Sequence, residues 1–209
     1  MPTMSTENFH FELHRKLFHG CSIIFPLMYL FIPRMYISIF LLMLLILTIY
    51  IDFSRHLRLD IRSFVDKFFG RLIRASEAHG TFKLSGASFM MAGFFITAVL
   101  FPKTLTITSW LILIISDPLA TLVGIKIGKQ TQTGKSIEGS VAFLGSAILI
   151  GIVCYIFIGY HTSFFIIIIS CICTTLVEYY SKLINIDDNL LIPLTYALST
   201  SILTFVSNL

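Results

Sequence analysis

The segment from residue 116 to 139 holds the residues of this chain best suited to binding phosphate, because glycines and lysines recur there at short intervals. Glycine lets backbone N–H groups approach an anion, and lysine supplies positive charge. The tripeptide G-K-S at 134–136 is not part of a Walker A motif, because Gly128 lies one residue too far upstream and no strand precedes the loop. The segment therefore predicts a phosphate-binding loop of another kind.

Acidic residues in and beyond this loop are the candidates for metal binding and proton transfer. A polyphosphate brings Mg²⁺, which is held by one or two carboxylates together with phosphate oxygens. An aspartate inside an apolar run is the most telling of them, because a charge there costs roughly 2.5–3.5 kcal/mol and usually marks function. The structural alternatives are an ion pair for the aspartate in the apolar run, a favourable position at the start of a helix for Glu138, and an ordinary turn for Asp187 and Asp188. The available carboxylates are those of Asp117, which lies in such a run, Glu138, Glu178, Asp187 and Asp188.

The composition places these residues in a membrane protein. The chain has 209 residues, of which 56% are hydrophobic and 12% charged, and its mean hydropathy is +0.88. A soluble domain of this length would carry more charge, so that class is excluded. About 20 apolar residues cross a bilayer as a helix. We predict one all-α domain over residues 1–209, with about seven transmembrane helices near 17–32, 35–53, 84–101, 105–125, 140–158, 163–180 and 190–206.

Between the second and third spans, residues 54–83 have a different character. Apolar residues from Ile61 to Ile73 recur at helical spacing, and basic residues cover the other face. This pattern predicts an amphipathic helix that lies in the cytosolic membrane interface. Nucleic-acid binding is a poor alternative, because the basic face is short and the rest of the chain is apolar.

The basic residues also predict the orientation. Of the 15 Lys and Arg residues, 13 fall on one set of alternate loops, and the other set holds only Arg34 and Lys103. The positive-inside rule then places the N-terminus and the polar clusters in the cytosol. Transporters more often place polar residues through the depth of the membrane. One-sided clustering instead favours a membrane enzyme that takes one cytosolic and one lipid substrate.

The order of several short motifs resembles the CTP-dependent lipid kinases, which include dolichol kinase, phytol kinase and a yeast-type diacylglycerol kinase. The central match is D-x-x-A-x-x-x-G-x-x-x-G from Asp117, followed by K-S-x-E-G from Lys135. The other matches, in family order, are R-K-x-x-H at Arg15, Lys16 and His19, R-x-x-E at Arg74 and Glu77, L-F-P at 100–102, V-E at 177–178 and I-D-D-N-L-L-I-P at 186–193. Together they cover about residues 12–195.

The resemblance implies transfer of the γ-phosphoryl group of CTP to the hydroxyl of a membrane lipid alcohol, with Mg²⁺ as cofactor. It implies catalytic roles for Asp117, Lys135, Glu138, Glu178, Asp187 and Asp188, with Asp117, Asp187 and Asp188 as metal ligands and Glu178 or His19 as proton acceptor. It implies nucleotide binding by Gly124, Gly128, Lys129, Lys135, Ser136 and Gly139, with Lys126 as an auxiliary. Simple anchoring at the membrane surface is the alternative for Lys126 and Lys129.

One departure and two rival functions remain. The chain has Gly134-Lys135-Ser136 where the kinases usually show a lysine pair and a threonine, so one cationic contact is missing and the nucleotide preference is open. CDP-diacylglycerol synthases share S-D-x-x-A and K-T-x-E-G, but their downstream basic and histidine-containing motifs are absent after Gly139. A transporter or assembly factor is the other rival. The sequence leaves open the lipid alcohol, the choice between a bacterial plasma membrane and the endoplasmic reticulum, and the choice between monomer and homodimer.

Overall fold

The computed structural model describes residues 16, 19–57, 84–129, 131, 133–160 and 162–209, and these form helices joined by short turns, with no β-strand among them. The predicted amphipathic helix falls almost entirely on residues 58–83, outside the described residues. The helices are α1 (Ile24–Phe31, after a 3₁₀ turn at Cys21–Ile23), α2 (Arg34–Leu57), α3 (Gly86–Leu100), α4 (Lys103–Leu111), α5 (Asp117–Ile127), α6 (Ile137–Phe157), α7 (Phe164–Ile184) and α8 (Asp188–Ser207).

The chain is a membrane-embedded helical bundle with five helices long and apolar enough to cross a bilayer within the described residues. Two of the seven predicted spans are shorter apolar helices, Cys21–Phe31 and Gly86–Leu100. Each ends just before a proline, Pro33 or Pro102, which disfavours helical backbone at the preceding residue. The 15 residues of α3 rise about 22 Å against the roughly 30 Å of a bilayer core, so the count of seven full spans is not confirmed.

The central element is the continuous helix Lys103–Ile127, which includes α4 and α5. Every residue from Leu105 to Trp110 is buried, and burial continues to Asp117 except at Leu111 and Ile115. Between α4 and α5 the backbone forms a π-helical segment, Ile112–Ser116. Pro118 follows it and has no N–H to donate to the carbonyl four residues earlier, so a regular α-helical ladder is interrupted here.

Five other helices pack in a chain of neighbours, in the order α2, α3, α8, α7 and α6, and α6 packs against the α5 part of the central helix. An aromatic cluster fills the interior: the ring of Trp110 stacks on Tyr29 at 5.4 Å and on Phe94 at 4.5 Å between centroids. The indole nitrogen of Trp110 donates to Thr97 Oγ1 at 2.7 Å, which satisfies the buried donor. This apolar interior holds the central helix in place and so fixes the position of Asp117.

Arg34 and Lys103, the two basic residues predicted to lie on the other side of the membrane from the remaining 13, both donate hydrogen bonds to carbonyl groups near helix ends. Arg34 Nε donates to the carbonyl of Ala98 at 2.7 Å, near the end of α3. Lys103 Nζ donates to the carbonyl of Leu30 at 2.9 Å, near the end of α1. The last carbonyls of a helix have no partner within the helix, so these side chains satisfy groups that would otherwise face the membrane.

Candidate functional site

Three acidic residues from three different helices converge in the bundle. Asp117 is the first residue of α5, Glu178 lies near the end of α7, and Asp188 begins α8. One carboxylate oxygen from each lies within 4.8 Å of the others. Asp117 is 1% exposed and Glu178 is 2% exposed. Three carboxylates at this separation repel one another strongly at low dielectric, so the arrangement requires cations.

Two lysines supply part of that positive charge. The ammonium group of Lys16, itself only 5% exposed, contacts Asp117 Oδ2. The ammonium group of Lys135 contacts Glu178 Oε1 and lies 3.0 Å from Asp188 Oδ2. Asp117 thus has an ion-pair partner, which a charged residue in an apolar run needs. We call Lys16, Asp117, Lys135, Glu178 and Asp188 the charged cluster.

The donor set of the charged cluster fits a hard divalent cation such as Mg²⁺. Asp117 Oδ1 and Glu178 Oε2 are buried and make no hydrogen bond. An unpaired buried carboxylate oxygen is unfavourable, and oxygen atoms of carboxylates are the ligands that Mg²⁺ prefers. The predicted Mg²⁺ role of Asp117 and Asp188 is compatible with this geometry, and Glu178 joins them in the cluster.

His19 lies beside the charged cluster. Its side chain is 9% exposed, its Nε2 has no hydrogen-bond partner, and its ring interacts with the backbone of Leu113 in the π-helical segment. Burial lowers the pKa of His19; nearby Asp117 opposes that shift and Lys16 adds to it, and the net pKa lies below the usual value of about 6.5. The predicted role of His19 as proton acceptor stays a prediction.

A tight turn before α6 directs Lys135 into the cluster. The N–H of Thr131 donates to the carbonyl of Lys135 at 2.8 Å, and the N–H of Gly134 donates to the carbonyl of Thr131 at 2.9 Å. Gly134 has φ +72°, a left-handed conformation that favours glycine, and Lys182 Nζ donates to its carbonyl at 2.8 Å. The glycine that departs from the kinase pattern is thus required by the turn.

Lys135 is held in its charged form. Burial would lower the pKa of Lys135, but the carboxylates of Asp188 and Glu178 outweigh burial and hold that pKa above its usual range. A lysine that stays protonated at all physiological pH values is suited to binding an anion rather than to exchanging protons.

The glycines predicted to bind nucleotide lie where α5 and α6 approach each other closely. A Cβ atom added to Gly124 or Gly128 would lie 2.7 Å or 2.4 Å from Ser136 Oγ, and one added to Gly139 would lie 2.7 Å from the carbonyl of Ala120. Ser136 is buried, and its Oγ accepts a hydrogen bond from the N–H of Gly139 at 3.0 Å, which caps α6. The geometry therefore gives these residues a packing role, and their nucleotide-binding role stays a prediction.

Glu138 and the neighbouring lysines lie outside the charged cluster. A carboxylate oxygen of Glu138, in the first turn of α6, accepts a hydrogen bond from the backbone N–H of Lys129 at 3.1 Å. The side chains of Lys126 and Lys129 are exposed. Glu138 therefore connects the turn to the start of α6, in agreement with the alternative that it is an acid at a helix start. A direct catalytic role for Glu138 stays a prediction.

The adjacent aspartates Asp187 and Asp188 have different environments. Asp188 belongs to the charged cluster, whereas Asp187 is the N-cap of α8. Oδ1 of Asp187 accepts hydrogen bonds from the backbone N–H of Asn189 at 3.0 Å and from its side-chain nitrogen at 2.7 Å. The structure separates the pair that the sequence treated as one metal-binding unit, and it places Asp188, not Asp187, with the other carboxylates.

One further buried acid, outside the charged cluster, was not singled out from the sequence. Asp52, near the end of α2, is 7% exposed, and its Oδ2 accepts hydrogen bonds from the N–H and Oγ of Ser85 at 2.8 and 2.9 Å and from Ser88 Oγ at 2.6 Å. This contact joins the ends of α2 and α3 on either side of residues 58–83. The predicted site residue Arg15 and the motif residues Arg74 and Glu77 lie outside the described residues.

Comparison with known proteins gives a relative that matches nearly the whole chain. The uncharacterized protein RP860 of Rickettsia prowazekii (strain Madrid E) is 57% identical over 203 residues, which cover 97% of this chain and 100% of the relative. The chain belongs to the family of RP860. The uncharacterized protein MJ1137 of Methanocaldococcus jannaschii shares 39% identity with this RP860-family member over 89 residues, 42% of each chain. No protein-family profile matches the chain. No solved structure matches it either.

Proposed function

We propose that this RP860-family protein is a CTP-dependent kinase that transfers the γ-phosphoryl group to the hydroxyl of a membrane lipid alcohol. The observation that carries the proposal is the charged cluster. Asp117, Lys135, Glu178 and Asp188 belong to three separate motifs that resemble the lipid kinases, and they meet at one buried point.

The charge of the cluster supports a role in binding a metal–nucleotide complex. Within the part of the chain that the structure describes, its three carboxylates face two ammonium groups, so these five groups alone would repel a triphosphate. Asp117, Glu178 and Asp188 are the residues that would hold Mg²⁺, which when bound neutralises phosphate charge and polarises the transferred group. Phosphoryl transfer depends on positioning and charge neutralisation more than on covalent chemistry.

Lys135 is the residue of this chain that we assign to the transferred phosphate. It is protonated, it is fixed by two carboxylates, and the turn from Thr131 to Gly134 aims it at the same point as Asp117. Lys16 would hold Asp117 in place in the absence of substrate. Glu178 or His19 would accept the proton of the lipid hydroxyl.

The position of the cluster supports a cytosolic active site. Asp117 lies within the central helix, and the other members come from the start of α8, the end of α7, the turn before α6 and the residues before α1, which lie at one end of the bundle. In the topology predicted from the sequence, 13 of the 15 basic residues fall on the loops of that side, so the positive-inside rule supports a cytosolic orientation of this end. CTP is a cytosolic substrate, and the lipid alcohol is delivered by the membrane.

The testing experiment uses the purified full chain in nanodiscs with Mg²⁺ and CTP labelled at the γ-phosphate. Prenyl alcohols and diacylglycerol are offered separately, and the lipids are extracted. Label in the organic phase for wild type, and at least a 100-fold lower rate for Asp117→Asn, is the expected result, because a charge-stabilising group of this kind contributes about 10²–10³ to rate. Equal activity of Asp117→Asn and wild type would overturn the proposal.

A further inference from the structure

Asn189, in the first turn of α8, is a buried polar residue next to a member of the charged cluster. It is 5% exposed and directly follows Asp188. Its backbone N–H and its side-chain Nδ2 both donate to Oδ1 of Asp187, at 3.0 and 2.7 Å. Asp188 therefore stands between two residues that are hydrogen-bonded to each other, so the backbone that directs its side chain is fixed on both sides.

The same amide connects α8 to the start of α3. Nδ2 of Asn189 also donates to the carbonyl of Gly86 at 3.3 Å. A Cβ atom added to Gly86 would lie 3.0 Å from this Nδ2, and one added to Gly93 would lie 2.9 Å from the carbonyl oxygen of Asn189. The two glycines are seven residues apart, about two helical turns, and they let α3 approach the start of α8 closely.

The start of α3 is itself held by Asp52. The Oδ2 atom of Asp52 accepts hydrogen bonds from the backbone N–H and the Oγ of Ser85, the residue before Gly86, and from Ser88 Oγ. Asp52 belongs to α2 and is 7% exposed. Hydrogen bonds thus connect α2 to the start of α3, and the start of α3 to Asn189.

The position of Asp188 matters because this residue holds Lys135. The ammonium group of Lys135 lies 3.0 Å from Asp188 Oδ2 and contacts Glu178 of α7. A lysine side chain is a flexible stem, so the carboxylates around it determine where its charge lies. A shift of the first turn of α8 would move Asp188 relative to Lys135 and to the carboxylates of Asp117 and Glu178, and errors of about 1 Å are enough to impair a site of this kind.

We propose that Asn189 is a positioning residue, whose amide fixes the start of α8 against α3 and thereby holds Asp188 in the charged cluster. The proposal extends the site to a residue outside the cluster and gives the buried Asp52 a role in supporting it. It rests on the proposed function only for the use of the cluster in binding metal and nucleotide. The placement of Asp188 against Lys135 is independent of that use.

The first experiment measures the coupling between Asn189 and Lys135 by thermal unfolding of the full chain in detergent, without metal or nucleotide. Asn189→Leu removes the amide and keeps a side chain of similar shape. Its drop in unfolding temperature should be reduced to about half or less in a Lys135→Met background, because the ion pair that Asn189 supports is already absent there. Equal drops in the two backgrounds would overturn the proposal.

Thr200→Val is the matched control on the same helix. Thr200 is 2% exposed, and its Oγ1 donates to Ser170 Oγ of α7 at 2.9 Å, so this variant also removes a buried hydrogen bond between α8 and a neighbouring helix. Its drop should be the same with and without Lys135→Met. If Thr200 were coupled to Lys135 as strongly as Asn189 is, the effect would be a general loss of helix packing and the positioning role would be contradicted.

Gly86→Ala disturbs the same contact from α3 and replaces Asn189→Leu if that variant does not fold. The added Cβ would lie 3.0 Å from Nδ2 of Asn189, which leaves the sequence of α8 unchanged. Its drop in unfolding temperature should also shrink in the Lys135→Met background. A drop that is independent of Lys135 would overturn the proposal in the same way.

The second experiment measures Mn²⁺ binding by electron paramagnetic resonance of the free ion, with the full chain in nanodiscs. Mn²⁺ suits the same oxygen ligands as Mg²⁺. Asn189→Leu should raise the Kd for Mn²⁺ by roughly 10–100-fold, the usual effect of losing a residue that orients a metal ligand. Thr200→Val should leave this Kd unchanged. An unchanged Kd in Asn189→Leu would contradict the placement of a metal ligand by Asn189.

The two experiments separate this inference from the kinase. Coupling of Asn189 to Lys135 in a protein that binds no Mn²⁺ would support the positioning role and contradict the metal-dependent reaction. Phosphoryl transfer by wild type, together with additive effects of Asn189→Leu and Lys135→Met on unfolding, would support the kinase and contradict the positioning role.

Discussion

The ammonium group of Lys16 contacts the carboxylate of Asp117, although the two residues are 101 positions apart and both are almost fully buried. The pair joins the residues before α1 to the central helix. Each charge is stable in the interior only because the other is present.

This pairing predicts a specific pattern of stabilities. Asp117→Asn and Lys16→Met should each lower the free energy of unfolding by about 3–5 kcal/mol, because each leaves one buried charge without its partner. The double variant should recover most of that loss, because no uncompensated charge remains. Thermal unfolding in detergent measures all three, and additive losses in the double variant would contradict a direct pair. Activity should stay absent in Asp117→Asn with or without the second change.

The two adjacent aspartates before and at the start of α8 should respond differently to metal. We expect Mg²⁺ to raise the unfolding temperature of wild type and of Asp187→Asn, but not of Asp188→Asn, because only Asp188 lies with Asp117 and Glu178. At 100 times its Kd a ligand stabilises the folded state by about 2.7 kcal/mol. A titration of Mg²⁺ followed by thermal shift checks this, with Ca²⁺ as the comparison ion. If the Mg²⁺-dependent shift were lost in Asp187→Asn and kept in Asp188→Asn, the assignment of the metal site to Asp188 would be contradicted.

Lys135 should matter for the phosphate group of the nucleotide. Lys135→Met is expected to lower kcat/KM for CTP by about 10²–10³, the usual effect of removing one preorganised charge at a reacting group. Lys126→Met is the comparison variant, since Lys126 is an exposed lysine of α5 and at most an auxiliary in nucleotide binding, and it should lower kcat/KM less than tenfold. Initial rates with varied CTP measure both, and similar losses for the two lysines would mean a general effect of surface charge.

The contact between α5 and α6 should not tolerate a methyl group. Gly128→Ala would place Cβ 2.4 Å from Ser136 Oγ and 2.6 Å from the carbonyl of Gly124, and should destabilise the fold by about 1–3 kcal/mol. Gly145→Ala, within α6, meets nothing within 4 Å and should be neutral or stabilising by up to about 1 kcal/mol. Comparison of the two unfolding temperatures checks the packing role, and equal values would contradict it.

The sequence predicted the helical membrane bundle because long apolar runs with few charges have few other solutions. It also singled out Asp117, because a charge in an apolar run has to find a partner. Lys135, Glu178 and Asp188 were predicted as site residues with the help of the resemblance to the lipid kinases, and the structure brings them together with Asp117. The sequence could not predict that Lys16 pairs with Asp117, since residue spacing reports the face of one helix and not its neighbour.

Other features depend on three-dimensional detail that spacing does not carry. The glycines at 124, 128 and 139 are predicted to bind phosphate, and their spacing does not show that two of them belong to the α5 helix and its C-cap, where the backbone needs room for Ser136. The different environments of Asp187 and Asp188 follow from the position at which α8 begins, because Asp187 is the N-cap and Asp188 is the first helical residue. The shortness of α1 and α3 follows from prolines whose effect on span length the hydropathy pattern does not resolve.

The most direct test of the proposed kinase compares CTP labelled at the γ-phosphate with CTP labelled at the α-phosphate, using wild-type protein, Mg²⁺ and a prenyl alcohol. The account predicts γ-label in the extracted lipid, α-label only in CDP, and neither in the lipid for Asp117→Asn. Label from the α-phosphate in the lipid fraction when phosphatidate is supplied, or no lipid label with any acceptor, would contradict it.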